Sequence, residues 1–439
     1  MIEFIVYYFS LQNILLILLI LTIAIISVYA INWVLLTFLS FLNRKKNIES
    51  PKIEDWPKVS INLPIYNEEK VIARLLNAVL NLDYPKNKLE IIVIDDSNDS
   101  TTQIIKSYEE KYKGLIKFIH RNNRNGFKAG ALQLALENST GEFIAIFDAD
   151  YVPKPNFLKA LLPYLYIEEN VAFVQARIGY LNKNQSWVTK AVALGLDGYC
   201  FIDQRARYAS NLLAHFSGTN GIFRRKAIES VGGWSCDTLA EDLDLSVRLQ
   251  LKGWKYVYVP QVVCDGEIPP KLSILKKQQF RWAKGFTECF KKHWKSILKS
   301  KLLSLFQKFE AILQLTIFFV YPISIVAIAL ALINYFIFPQ TFLNELWNFY
   351  LSPLASALSV IIYFSPLFMY TITIFEAEKF KNKKIGLNRL LHMLYLILVG
   401  VGILFTNSLA VIEALIGIKS QFERTPKFGI IDKQLRDNS

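Results

Sequence analysis

Residues 4–42 contain no charged side chain. An uncharged apolar run of that length belongs in a bilayer, whose hydrocarbon core takes roughly 20 helical residues to cross. Residues 14–41 alone suffice for a tilted span. The run lacks a basic start and a small-residue cleavage site, so it reads as a retained anchor and not as a signal peptide. Further apolar blocks follow at 311–338, 351–374 and 390–416, and a charged, motif-dense stretch from Arg44 to Lys301 separates them from the first. The expected division is an anchor over 1–43, a soluble domain over 44–272, interfacial helices over 273–310, membrane or re-entrant helices over 311–418 and a tail over 419–439.

Cytoplasmic flanks of membrane spans carry excess Lys and Arg. Arg44, Lys45 and Lys46 follow the first span, and Lys291, Lys292, Lys295, Lys299 and Lys301 precede the second. Both ends of the soluble domain are therefore expected in the cytoplasm. The 339–350 loop has no Lys or Arg and should lie outside, whereas the next, with Lys379, Lys381, Lys383, Lys384 and Arg389, should lie inside. A fourth full span would put the tail outside, against the pull of Lys419, Arg424, Lys427, Lys433 and Arg436. An inside tail is favoured, with 390–416 re-entrant or lying along the interface. The chain reads as a multi-pass cell-membrane protein with a cytoplasmic catalytic domain. The net charge of +13 suits anchoring to anionic lipid. No arginine-rich patch interleaved with aromatics points to nucleic acid. Cys200, Cys236, Cys264 and Cys289 have no CxxC spacing, so free thiols and no zinc site are expected.

Inside the soluble stretch, apolar strands at 59–63, 91–94, 117–120 and 143–147 alternate with helical patterns at 68–80, 101–112 and 129–136. Such alternation predicts βαβ units: an α/β fold with a Rossmann-like, mainly parallel sheet, joined to an α-helical transmembrane bundle. Ligands of such sheets bind beyond the carboxyl ends of the strands. There the sequence places Pro64, Tyr66 and Asn67, then Asp95 and Asp96, then Asp148 and Asp150. An alternating strand would turn Asp148 and Asp150 to one side, where a hard cation, Mg2+ or Mn2+, would relieve their repulsion and leave positions open for substrate phosphate. An isolated Asp-x-Asp is a weak signal, common by chance and more often a solvated loop, and Asp99 with Ser100 reads as a helix cap.

Three further motifs bear on that rim. NGFKAGAL sets Lys128 between Gly126 and Gly130 at a helix start, where backbone donors and a cation both suit phosphate. LAEDLDLS puts Glu241, Asp242 and Asp244 in a first helical turn. Asp244 reads there as a helix-dipole residue, and the same positive end should keep Asp242 ionised as a proton acceptor. QQFRW aligns Gln278, Arg281 and Trp282 on one helical face, either as an interfacial anchor or as a sugar platform beside a cation for a departing phosphate.

DDSND, DAD, AED and QQFRW, in this order between membrane spans, resemble the membrane-embedded, processive family 2 glycosyltransferases. HFSGTNGIFRRKAI, DGYCFIDQRARY and RTPKFG are most similar to the cellulose-synthase-like branch that includes mannan and glucomannan synthases. The resemblance implies a GT-A domain over 44–272. It implies nucleotide contacts from Pro64, Tyr66, Asp95, Asp96, Lys128, Asp148 and Arg281, and metal ligation by Asp148 and Asp150. Asp242 would be the general base with Glu241 beside it, and Gln278, Gln279, Arg281 and Trp282 would line the acceptor. Arg424, Thr425 and Lys427, within 422–427, would belong to a gating segment over the nucleotide. Two departures are visible: Ala240 stands where the family has Thr, and the chain is shorter than bacterial cellulose synthases, with fewer spans.

The implied reaction is an inverting transfer from a UDP- or GDP-sugar to a growing polysaccharide, forming β-glycosidic links of the β-1,4 glucan or mannan type, with coupled export. Two alternatives are transfer of one sugar to a polyprenyl phosphate or other lipid, and a transporter sensing nucleotide sugar. The QQFRW helix favours polymer synthesis. The spans hold few ionisable residues, which disfavours a transport path.

Overall fold

The computed structural model describes residues 2–42, 50–339, 344, 353–380, 386, 388–420 and 423–432. Arg44, Lys45, Lys46, most of the 339–350 loop, Lys381, Lys383, Lys384, Phe422, Lys433 and Arg436, invoked above, lie outside the described residues.

Helix α1 (Ile2–Leu42) leads into β1 (Val59–Ile65), α2 (Ile72–Leu80), β2 (Leu89–Asp95), α3 (Thr101–Lys111), β3 (Ile116–His120), α4 (Phe127–Asn138) and β4 (Phe143–Ile146). Then come α5 (Phe157–Leu161), β5 (Val171–Tyr180), α6 (Trp187–Gly198), α7 (Gln204–Ala209), β6 (Gly221–Arg224), α8 (Arg225–Ser230), α9 (Glu241–Leu251) and β7 (Lys255–Gly266). The chain continues through α10 (Leu272–Lys299), α11 (Leu305–Leu315), α12 (Val320–Ile337), α13 (Pro353–Phe380) and α14 (Asn388–Ile416).

The strands form one sheet in the order β3-β2-β1-β4-β6-β5-β7. Neighbours β3, β2, β1 and β4 are parallel, as expected from the alternation. The central strand β4, Phe-Ile-Ala-Ile, is apolar on both faces and fully buried, as expected where helices cover both sides of a parallel sheet. Helix α2 shows the matching stripe, burying Ile72, Leu75, Leu76, Val79 and Leu80 at helical spacing. Strand β6 breaks the pattern by running antiparallel to both β4 and β5. Its amino end, preceded by residues 215–220, therefore meets the carboxyl ends of β1, β2 and β4. Strand β7, parallel to β5, also ends on that rim, at Gly266.

Beyond the sheet, α9 and α10 are joined by buried charge. Asp244 is fully buried and bonded to Arg248 Nε at 2.7 Å, His293 Nε2 at 2.7 Å and Lys292 Nζ at 2.6 Å. Burial works against its charge, but His293, Arg248 and Lys292 hold its pKa down at about 2. The helix-dipole reading of Asp244 is thus incomplete, since the residue is a tertiary clamp. A second tie is steric: a Cβ on Gly285 of α10 would stand 2.7 Å from the Cβ of Ala240, which heads α9.

Three helices among the described residues are long and apolar enough to cross a bilayer: Leu11–Phe41, Ile317–Ile337 and Asn388–Ile416. The block expected at 351–374 lies in α13 from Pro353 onward, residues 351 and 352 being outside the described residues. Helix α14 is unbroken over 29 residues, so it lacks the chain reversal of a re-entrant segment. It packs on α10 through Ala283, Ala410 and Val411, and Lys291 Nζ caps its end by donating to the carbonyls of Ala414 at 2.6 Å and Leu415 at 2.9 Å.

Replacing Asp244 by Ala leaves Arg248, Lys292 and His293 around a buried site stripped of its carboxylate. The expected loss is about 3–5 kcal/mol, as for a buried ion pair stripped of one partner. Thermal unfolding of the purified protein should show a clearly lower midpoint, and an unchanged one would remove the clamp from the fold's stability.

Candidate active site

The polar residues gather where the strand ends meet. Gly126 (φ 69°) and Phe127 (φ 48°) take left-handed backbone to open α4, which delivers Lys128 to the rim. The Lys128 ammonium lies 2.8 Å from Asp148 Oδ1 and 3.4 Å from Glu241 Oε1, and donates to the Gly218 carbonyl at 2.9 Å. Burial works against its charge, but the Asp148, Glu241 and Asp242 carboxylates outweigh burial and hold the ammonium firmly protonated. Gly218 (φ 78°) is needed here: a Cβ would sit 2.9 Å from Asp242 Oδ2 and 3.3 Å from Lys128 Nζ. Asp148 and Asp242 thus approach one another across a glycine and one lysine.

Asp242 differs from the sequence expectation. Its Oδ1 accepts the Leu243 N–H at 2.8 Å, as a helix start allows. Burial and the adjacent Glu241 carboxylate nevertheless push its pKa up to about 7, against Lys128, Leu243 and Arg281. The helix start alone does not keep it ionised. A carboxylate poised near neutrality is better suited to take and release a proton than one held far below.

Asp148 and Asp150 also depart from the alternating-strand picture. Strand β4 ends at Ile146, and both acids sit on the following turn, where Thr219 Oγ1 accepts the Asp148 N–H at 3.0 Å. Their repulsion is relieved by two ammonium groups: Lys128 on Asp148, and Lys427 on Asp150 Oδ2 at 2.7 Å. Asp150 is buried and also accepts the Glu267 N–H at 3.1 Å. Burial, chiefly, raises its pKa. Among the described residues no three His, Cys, Asp or Glu side chains stand together as a metal ligand set. The pair still fits a hard cation that takes its other ligands from a diphosphate, because both supply carboxylate oxygens and the Asp148 side chain is 34% exposed.

Pro64 pairs with Ile94 across β1 and β2, and the Tyr66 ring just beyond lies under the Arg124 guanidinium, 3.3 Å from the ring centre. Asp95 is fully buried and held by His120 Nδ1 at 2.9 Å, Thr102 Oγ1 at 2.6 Å and the Ser97 N–H at 3.0 Å. Asp96 receives Arg121 Nε at 2.6 Å, and the same guanidinium donates to the carbonyls of Asn125 and Phe127. The two acids thus brace the turn that presents Lys128. On α10, Gln278, Gln279, Arg281 and Trp282 are half-buried. The charge of Arg281 acts on Asp242, and Gln278 Oε1 is buried without a hydrogen-bond partner among the described residues. A cavity of about 330 Å³ opens beside Lys128 and Glu241, walled by Cys236, Thr238, Glu288 and Lys419 among others.

The tail crosses this rim as an extended strap. Arg424 makes two bonds of 2.7 Å to Glu68, Thr425 is buried, and Lys427 reaches Asp150. The Phe428 N–H donates to Glu267 Oε2 at 2.9 Å, and Asp432 is tied to Leu181 and Asn184. Burial pushes Glu68 up to about 7 despite Arg424. Glu68, Glu267, Gly218, Thr219, Arg121 and Arg124 were not singled out from sequence; the GTNG turn was the visible signal for two of them.

Residues 60–232 match the family model described as glycosyl transferase family 2. The probable glucomannan 4-beta-mannosyltransferase 7 of Oryza sativa subsp. japonica is 39% identical over 262 residues, 58% of this chain and 45% of its own length. The glucomannan 4-beta-mannosyltransferase 1 of the same plant is 34% identical over 264 residues, 58% of this chain and 51% of its own. The chain spans about half the length of these relatives. The mannosyltransferase PcManGT from Pyrobaculum calidifontis, solved in complex with GDP-Man and Mn2+, shares the fold. Its TM-score is 0.59 at 21% identity, over 84% of this chain and 100% of its own.

With its pKa at about 7, Asp242 is protonated below neutrality and ionised above it. The kcat/KM for a turned-over donor should therefore rise with pH through about 7 and level off beyond; a flat profile from pH 5 to 9 would exclude Asp242 as the titrating group. Separately, Arg424→Ala should loosen the strap and raise chymotryptic cleavage after Phe428 severalfold, with unchanged cleavage showing that the strap holds without this pair.

Proposed function

We propose that this chain, whose residues 60–232 match the family 2 glycosyltransferases, moves a sugar from a nucleotide-sugar donor to a growing polysaccharide. The reading has the configuration inverting and β-1,4 links of the mannan or glucan type forming. The observation that carries it is the shared position of Lys128, within reach of Asp148 on one side and Glu241 on the other, with Asp242 across Gly218. One cation thus connects the diphosphate side of the site to its base.

An acceptor hydroxyl attacks the anomeric carbon from the face opposite the diphosphate, a C–O bond forms, and the bond from that carbon to the phosphate oxygen breaks. The hydroxyl proton passes to the Asp242 carboxylate, and the electron pair leaves with the nucleoside diphosphate. Lys128 and Arg281 offset the charge growing on that diphosphate. Asp148 and Asp150 would hold Mg2+ or Mn2+, which when bound supplies Lewis-acid stabilisation of the same charge. Glu241 raises the basicity of Asp242 and keeps Lys128 in place. Tyr66, with the Arg124 guanidinium over its ring, offers a stacking surface to the base, while Gln278, Gln279 and Trp282 contact the acceptor end. Arg424, Thr425 and Lys427 would close over the nucleotide. Catalysis in this reading is cytoplasmic, and the product leaves through the helical bundle.

The plant relatives' names favour a mannosyl donor and a glucomannan-type product. The single-sugar and transporter alternatives gain no observation of their own. Purified protein in detergent with Mn2+ should convert one member of a panel of radiolabelled UDP- and GDP-sugars. Asp242→Asn should lower that conversion by about 10²–10⁴-fold, as loss of a general base does, while nucleotide affinity holds. Full turnover by the variant would take the base role from Asp242.

A further inference from the structure

Lys284 of α10 is fully buried and takes no part in the chemistry above, yet it stands where three parts of the molecule meet. Its ammonium lies 5.7 Å from the centre of the Phe280 ring, within QQFRW and one helical turn earlier. It donates to Glu413 Oε2 at 2.8 Å, in the last turn of α14, and to Ser420 Oγ. The Ser420 hydroxyl in turn donates to Glu413 Oε2 at 3.3 Å. Glu413 also closes α14 with its backbone, its carbonyl accepting the Gly417 N–H at 3.0 Å and the Ile418 N–H at 2.9 Å. Gly417 (φ 85°) takes the left-handed backbone of such an ending, and Ser420 comes back to Lys284. Lys419 and Ser420 wall the cavity beside Lys128 and Glu241, and Arg424, four positions after Ser420, makes the first of the strap's bonds to the rim. A further tie between α10 and this segment, Lys277 to Glu423 at 2.8 Å, is more than half exposed on both sides and therefore weak.

We propose that Lys284 is a positioning residue: paired with Glu413, it fixes the root of the strap on the QQFRW helix, so that the acceptor face and the cover of the nucleotide move together. The inference rests on the sugar-transfer reading and adds to it a link between the two substrates. Holding α10 against α14 does not by itself call for charge, since a buried ion pair is often no more stabilising than apolar side chains of similar volume. The charge is explained by direction. An apolar pair would fill the same space but would offer no bond to Ser420, and the strap would then hang from its exposed contacts and from the rim alone. With the pair in place, an acceptor that shifts α10 shifts Ser420 with it, and through the chain that follows it bears on Arg424 and Lys427. Such a link is reciprocal in binding: an acceptor that favours the closed strap is itself bound more tightly when nucleotide is present.

The test uses the full chain in detergent and reads the thermal midpoint, chymotryptic cleavage after Phe428, and affinity for GDP and UDP with Mn2+. The Lys284→Met, Glu413→Leu double variant keeps the contact between α10 and α14 filled, so its midpoint should hold or rise. Its cleavage should nevertheless rise severalfold, and its affinity for the nucleotide that binds should fall about tenfold, within the range of coupling between sites. With a turned-over donor, KM should rise while kcat holds, as when binding and not chemistry is lost. Ser420→Ala leaves the ion pair whole and should move cleavage and affinity in the same directions; it carries the test alone if the double variant folds poorly. Lys277→Gln, which removes only the exposed pair, should change neither. Cleavage and affinity left at their original values in Ser420→Ala, or in a double variant of unchanged midpoint, would overturn the proposal, as would an equal effect from Lys277→Gln. An unaltered chain that binds nucleotide but converts no donor would instead sink the transferase reading, and cleavage and affinity would still report on Lys284.

Discussion

The site depends on one ammonium group placed among carboxylates. Without Lys128, the Asp148, Glu241 and Asp242 side chains would face one another across Gly218 in a buried space, and like charges there cannot all remain ionised. The lysine holds this cluster together, and its own position follows from the left-handed turn at Gly126 and Phe127 and from the brace of Asp96 and Arg121 beneath. Because Lys128 firmly keeps its proton, the group of this cluster that titrates near neutrality is Asp242, whose pKa of about 7 reflects burial and Glu241.

Asp242 is only as well placed as the contact between α9 and α10. Two independent devices set it: the buried Asp244 with its partners Arg248, Lys292 and His293, and the close approach of Ala240 to Gly285. The second bears on the one departure from the family motif. Ala240 lies buried against α10 at a point where there is little space, so the small side chain is matched by a glycine and the spacing between Asp242 and the QQFRW face is kept by packing. The hydroxyl that Thr would supply has no part in this contact.

Much of the architecture was legible because it rests on local periodicity. The parallel strands β1, β2, β3 and β4 fall within two residues of their expected ends, and the charge-free runs emerge as long helices. Charge pairing was far less legible, since its partners are distant in the chain. Asp244 looks like a helix-dipole residue until His293, 49 positions later, is seen against it. Glu68 meets Arg424 across 356 positions, and that contact accompanies the later start of α2, at Ile72 instead of 68. The Asp148 and Asp150 pair was found for a reason that fails, as the strand stops short of them. The acids matter all the same, because the antiparallel β6 brings Thr219 and Gly218 to the same rim, a reversal that no local pattern announces.

The strap has a consequence for how the site handles ions. With Arg424 on Glu68 and Lys427 on Asp150, the rim carries its own counterions, borrowed from residues 423–432. A diphosphate arriving with its cation would offer those two side chains new anionic partners and leave Asp150 to the metal. Filling the site then becomes an exchange of neighbours that barely alters the local sum of charge, which spares a membrane-bound protein the cost of gathering ions from solution at every cycle.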